Sequence, residues 1–214
     1  MARLRVSYNS PVVLTLTLMS VVVCLLPTSI VQEWFTTHGQ LDGLAGYVTL
    51  LTHVLGHANW QHLFGNITLI LLVGPILEER HGSLPLLAMI IVTALVASLV
   101  DLALGRHTLG ASGVVFMMIL LASTANIRRG EIPLTFIACA LIYLGGEGCA
   151  AVTKTDNVSH LGHLLGGLTG AGFAFLGAHL TGRGREARAA EKAEPKLAEK
   201  KARLAVPPVT DEDP

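Results

Sequence analysis

The chain has 214 residues, of which 51% are hydrophobic and 14% charged, with a mean hydropathy of +0.58. That is too apolar for an ordinary soluble domain. A formal net charge of +0 gives no bulk attraction for nucleic acid, and of the 3 cysteines Cys24 and Cys139 stand in apolar runs, so they outline no disulfide framework.

Six apolar segments approach the roughly 20 residues that cross a bilayer. They lie near 11–30, 60–77, 84–104, 112–127, 132–151 and 158–180. The predicted fold class is therefore all-α, a polytopic membrane protein with a six-transmembrane-helix bundle over 11–180. A short N-terminus over 1–10 precedes it, and a disordered polar tail over 181–214 follows. With the N-terminus inside, every Lys and Arg except Arg106 and Lys154 is cytoplasmic. The positive-inside rule selects that orientation, with both termini in the cytoplasm.

The first segment follows Arg3 and Arg5 and lacks a small-residue cleavage pattern, so it reads as a retained anchor. The stretch 31–59 holds Trp34, Phe35, several glycines and no Lys or Arg, and reads as an external loop in the membrane interface. It leads into a run containing His53, His57, His62 and Asn66. On a helix His62 and Asn66 share a face, as would His53 and His57 one turn earlier. Polar groups entering a membrane helix face the protein interior. Two readings stand there: hydrogen bonds that tie the loop to the bundle, or zinc ligands at i, i+4 spacing.

The second segment ends at Glu78 and Arg80, which pair with each other or with neighbouring helix ends. The third is plain apolar apart from Asp101, expected to be wetted near its outer end. The fourth opens T-L-G-A-S-G-V-V-F over 108–116. Flanking glycines let backbone approach Ser112, and a helix N-terminus supplies unpaired N–H donors. That suits a nucleophile beside an anion-stabilising hole, and it equally suits close helix packing. The sixth carries His160, His163 and a small-residue stripe at Gly162, Gly166 and Gly170.

Topology joins these pieces. The second, fourth and sixth segments run in one direction, so His62 and Asn66, Ser112, and His163 fall near one depth. Adjacent helices would give a serine, a histidine base and a set of donors in one recessed site.

On these residues the chain resembles the rhomboid family of intramembrane serine proteases. H-x4-H-x3-N is matched at His57, His62 and Asn66, G-x-S-G at Gly110, Ser112 and Gly113, and the final glycine-rich histidine helix around His163. The E-x-R element appears at Glu78 and Arg80. The resemblance implies Ser112 as nucleophile and His163 as general base. It implies Asn66, His62 and the Ser112 backbone N–H as oxyanion donors, with His57 and Gly110 supporting. His160 is the rival base, but choosing it would put His163 where the family has a packing glycine. Two features depart from the family: the first loop has no arginine, and Phe116 stands where a tyrosine commonly packs on the catalytic histidine.

The activity so implied is endoproteolysis of single-pass membrane proteins in or beside their transmembrane helices, by a Ser-His dyad with no metal and no cofactor. The location implied is the plasma membrane, with the lipid bilayer as surroundings and no nucleic acid partner. A non-proteolytic rhomboid-like protein that binds or escorts membrane clients is the alternative, and a zinc-dependent membrane hydrolase is the third.

Overall fold

A computed structural model of the chain describes residues 9–123, 134, 137, 138, 141, 164–173 and 176. The predicted fifth segment, apart from residues 134, 137, 138 and 141, lies outside the described residues, as do His160, His163 and the tail. Residues Met1–Ala174 form one unit and Phe175–Pro214 another.

In the first unit the described elements are all helical: α1 (Pro11–Cys24), α2 (Thr28–Trp34), α3 (Gly43–Thr52), a 3-10 turn (His53–Leu55), α4 (Trp60–His81), α5 (Ser83–Ala103), α6 (Ser112–Ser123) and α7 (Leu164–Phe173). The first apolar segment is not one helix. Pro27 cannot continue α1 and instead caps α2, so the predicted span 11–30 breaks after Cys24. The stretch 31–59 is likewise no simple loop, because α3 and the 3-10 turn occupy its second half.

Among the described residues two helices, α4 and α5, are long and apolar enough to cross a membrane, while α1, α6, α7 and the stretch Gly43–Leu55 are shorter apolar helices. Leu71, Leu72 and Ile76 on α4, and Leu84 and Leu99 on α5, are exposed although strongly apolar. A helix that is apolar on its outward face as well as its inward one suits hydrocarbon, not water. The buried side is continuous: Val13, Ile70, Leu77, Leu86, Ile90, Val114, Met117 and Met118 form one core.

Two close approaches set the frame at the end where α4 finishes. A Cβ on Gly74 would stand 2.7 Å from Val13 Cγ2, so α1 and α4 meet at van der Waals limits. Beside that contact the Glu78 carboxylate accepts the backbone N–H groups of Val12 and Val13, each at 3.0 Å, and the Ser83 hydroxyl at 2.7 Å. Glu78 thus serves the first turn of α1, whose N–H groups have no helical partner and carry the positive end of the helix dipole.

Candidate active site

The start of α4 is set by Asn59, whose Oδ1 accepts the His62 N–H at 2.8 Å. This N-cap begins the helix at Trp60 and directs His62 and Asn66, one turn apart, to a common face. His53 and His57 do not share a helical face as predicted, because Gly56 leaves the 3-10 turn in an extended conformation. A Cβ on Gly56 would collide with the Phe35 carbonyl, which holds this bend against the end of α2.

The histidines are placed individually. His53 is buried, with Nδ1 3.0 Å from the Thr49 carbonyl, and its own carbonyl accepts the Gly110 N–H at 2.9 Å. His57 is also buried, with Nδ1 3.1 Å from the Leu55 carbonyl and its ring edge-on to His62 at 5.1 Å. Burial pushes both imidazoles down from 6.5 to about 4, against the opposing pull of their carbonyl partners. They stay neutral at physiological pH.

Gly110 has φ +127, a conformation open to glycine and strained for other residues. The His62 ring stands 2.8 Å from where its Cβ would be, so the start of α4 and the approach to α6 touch through this glycine. Ser112 then opens α6. The first helical bond is Val115 N–H to the Ala111 carbonyl at 2.9 Å, which leaves the N–H groups of Ser112, Gly113 and Val114 without partners inside the helix. Asn66 is 6% exposed, and its Nδ2 has no hydrogen-bond partner among the described residues. A buried amide donor left open is costly unless something else uses it.

On its other side α6 meets α7. A Cβ on Gly166 would collide with Gly113 backbone, and one on Gly170 with the Met117 backbone. The pairs 166 with 113 and 170 with 117 advance together, so α6 and α7 are parallel and in backbone contact. The starts of α4, α6 and α7 therefore lie at one end of the unit.

Behind Ser112 lies a cavity of about 30 Å³, whose polar lining comes from His53, Thr93, Asp101, Thr108 and Ser112. It has room for a water molecule and the polar partners to hold one. Asp101 is not wetted as predicted. It is 2% exposed and accepts the Thr108 hydroxyl. Asp101 and Thr37 have no local signal as parts of this region: Asp101 pairs with Thr108 seven residues on, and Thr37 meets Thr108 across 71 positions. Among the described residues no three His, Cys, Asp or Glu side chains converge as metal ligands would.

The sequence pattern of the Rhomboid domain family matches residues 44–180, from α3 through α7. The chain belongs to the rhomboid family. It is also 31% identical, over 132 residues, to Rhomboid-related protein 1 of Caenorhabditis elegans, an alignment covering 56% of this chain and 37% of that protein. The chain thus spans little more than a third of that relative. Rhomboid membership makes it a polytopic helical membrane protein, and both proteolytic and inactive members share the fold.

Proposed function

We propose that the chain is an intramembrane serine endopeptidase, with Ser112 as nucleophile and His163 as general base. The observation that carries this reading is the parallel register of α7 on α6. Gly166 meets Gly113, the residue after Ser112, and His163 precedes Leu164, the first residue of α7. His163 itself lies outside the described residues, and what supports its role is the family pattern H-x-x-G-x-x-x-G, matched at His163, Gly166 and Gly170. Choosing His160 would put His163 where the family has a packing glycine. The close approach of Gly166 to Gly113 is consistent with that pattern and supports the choice of His163 as the base.

In the proposed reaction His163 takes the Ser112 proton as the alkoxide attacks a peptide carbonyl, then returns it to the leaving amine. The tetrahedral oxyanion is met by the Ser112 N–H at the open N-terminus of α6, by the unpartnered Nδ2 of Asn66, and by His62. His57 supports His62 edge-on, and Gly110 admits it close to the backbone. Water then hydrolyses the acyl-enzyme with His163 acting as base again, and the polar cavity beside Ser112 gives that water a place to stand. No carboxylate enters the dyad.

The same reading takes six membrane spans, both termini in the cytoplasm, the plasma membrane as the location and single-pass membrane proteins as substrates. The alternative, a rhomboid-like protein that binds clients without cutting them, is separated by experiment. Purified wild type, Ser112→Ala, His163→Ala and His160→Ala are assayed on a reporter transmembrane substrate, with and without chelator. Cleavage lost in Ser112→Ala and His163→Ala but kept in His160→Ala and in chelator supports the proposal. No cleavage by any form, with substrate still bound, supports the escort reading.

A further inference from the structure

The chain between α5 and α6 is tied to an element far from it in sequence. Thr37, in the linker between α2 and α3, donates its N–H to the Thr108 carbonyl at 2.8 Å, and Thr108 donates its N–H to Thr37 Oγ1 at 2.8 Å. The two hydroxyl oxygens are 3.1 Å apart. Because the Thr108 hydroxyl gives its proton to Asp101 Oδ2, it can only accept from Thr37. The Thr37 hydroxyl also has the Arg106 and Thr108 carbonyl oxygens at 3.4 and 3.3 Å, so Thr108 is held to Thr37 by this cluster and to Asp101 by its own hydroxyl. Thr37 and Asp101 are each 2% exposed, so bulk solvent has little access to these bonds. Two residues further along, a Cβ on Gly39 would stand 2.9 Å from the Gly105 backbone, so the two segments are in contact beyond the threonines.

From Thr108 the chain reaches Ser112 in four residues, and the next fixed point is the Gly110 N–H on the His53 carbonyl. The position of Ser112 is thus set by two anchors upstream of α6, one made by His53 and one by Asp101. We propose that Asp101, acting through Thr108 and Thr37, is a positioning residue for the nucleophile. This rests on the reading of Ser112 given above. A displacement of about 1 Å at a reacting atom can lower a rate about 100-fold. An anchor of this kind therefore appears in kcat and not in substrate binding.

The test uses the full chain in detergent or liposomes with a reporter transmembrane substrate. Asp101→Ala and Thr108→Val are expected to lower kcat about 10- to 100-fold with KM within about 3-fold. Asp101→Asn keeps an acceptor and Thr108→Ser keeps the hydroxyl, so both should restore kcat to near wild type. Amide hydrogen exchange over 104–110 gives a readout that needs no turnover. It should speed at least about 10-fold in Thr37→Ala and Asp101→Ala while α6 stays protected. Should Asp101→Ala fail to fold, Thr37→Ala carries the exchange measurement alone. Unchanged exchange, wild-type kcat in a folded Asp101→Ala, or failure of Asp101→Asn to rescue would each overturn the proposal. Cleavage surviving Ser112→Ala would instead remove the nucleophile reading and leave the exchange result standing.

Discussion

The imidazole of His62 occupies the space that a side chain on Gly110 would need. A Cβ there would stand 2.8 Å from the ring Cε1 and 3.0 Å from Nε2. One glycine therefore lets the polar start of α4 reach the backbone that leads into α6, and it also takes up φ +127. Gly110→Ala meets both obstacles. It should lose about 1–3 kcal/mol of stability from backbone strain alone, and cleavage should fall about 100-fold as the approach to Ser112 shifts. Adding His62→Ala removes the collision but not the strain, so the double variant should regain part of the melting temperature and none of the activity. Thermal unfolding alongside the cleavage assay reads both.

Asn66 makes a prediction in which stability and activity move apart. Its Nδ2 is buried and unpartnered among the described residues, so removing it deletes an unmet donor. Asn66→Ala should leave the melting temperature unchanged or slightly raised apart from a small packing loss. Loss of one oxyanion donor typically costs about 2.7–4 kcal/mol of barrier, so kcat should fall about 100- to 1,000-fold. A variant that loses stability and keeps its rate would assign Asn66 to structure.

The glycines of α7 divide by surroundings. Gly166 and Gly170 lie against the α6 backbone, whereas among the described residues nothing lies within 4 Å of a Cβ on Gly172. Gly166→Ala and Gly170→Ala should force the helices apart, with losses of about 1–3 kcal/mol typical of overpacking. Gly172→Ala should be neutral or stabilising by up to about 1 kcal/mol, since alanine is the better helix former. Unfolding curves for the three single variants settle the ranking.

The buried histidines give a pH dependence of defined sign. His53 and His57 fall from 6.5 in the unfolded chain to about 4 in the folded one. Between those values the unfolded chain binds protons that the folded chain does not, so the contribution of these two histidines to stability drops as pH is lowered through this window and is flat above it. Melting temperatures at pH 7.5, 6 and 5 should show that decline, and His57→Gln should make it shallower.

The parts of this fold that depend on local pattern were readable in the sequence. The apolar segment near 84–104 becomes α5 (Ser83–Ala103), and Trp60 and Ser112 begin α4 and α6, because length, hydropathy and small or capping residues act within one segment. What escaped depends on distant partners. Asp101 reads as wetted because its position near a helix end does not reveal that the following linker folds back to put Thr108 on it, or that Thr37 from a separate linker covers Thr108. Glu78 could pair with Arg80 or with a helix end on sequence grounds, and only packing of Gly74 against Val13 brings the N-terminus of α1 within its reach. The helices within 31–59 were hidden by their glycines, which here serve close contacts: Gly46 lies against Leu41 and Gly56 against Phe35.

The central claim is that Ser112 is a nucleophile made reactive by His163. The most direct measurement is the rate of labelling by a serine-directed fluorophosphonate in detergent, with the adduct located by mass spectrometry. The account predicts an adduct on Ser112 that is absent in Ser112→Ala, slowed at least about 100-fold in His163→Ala, and formed at near the wild-type rate in His160→Ala. Labelling elsewhere than Ser112, or an undiminished rate in His163→Ala, would contradict it.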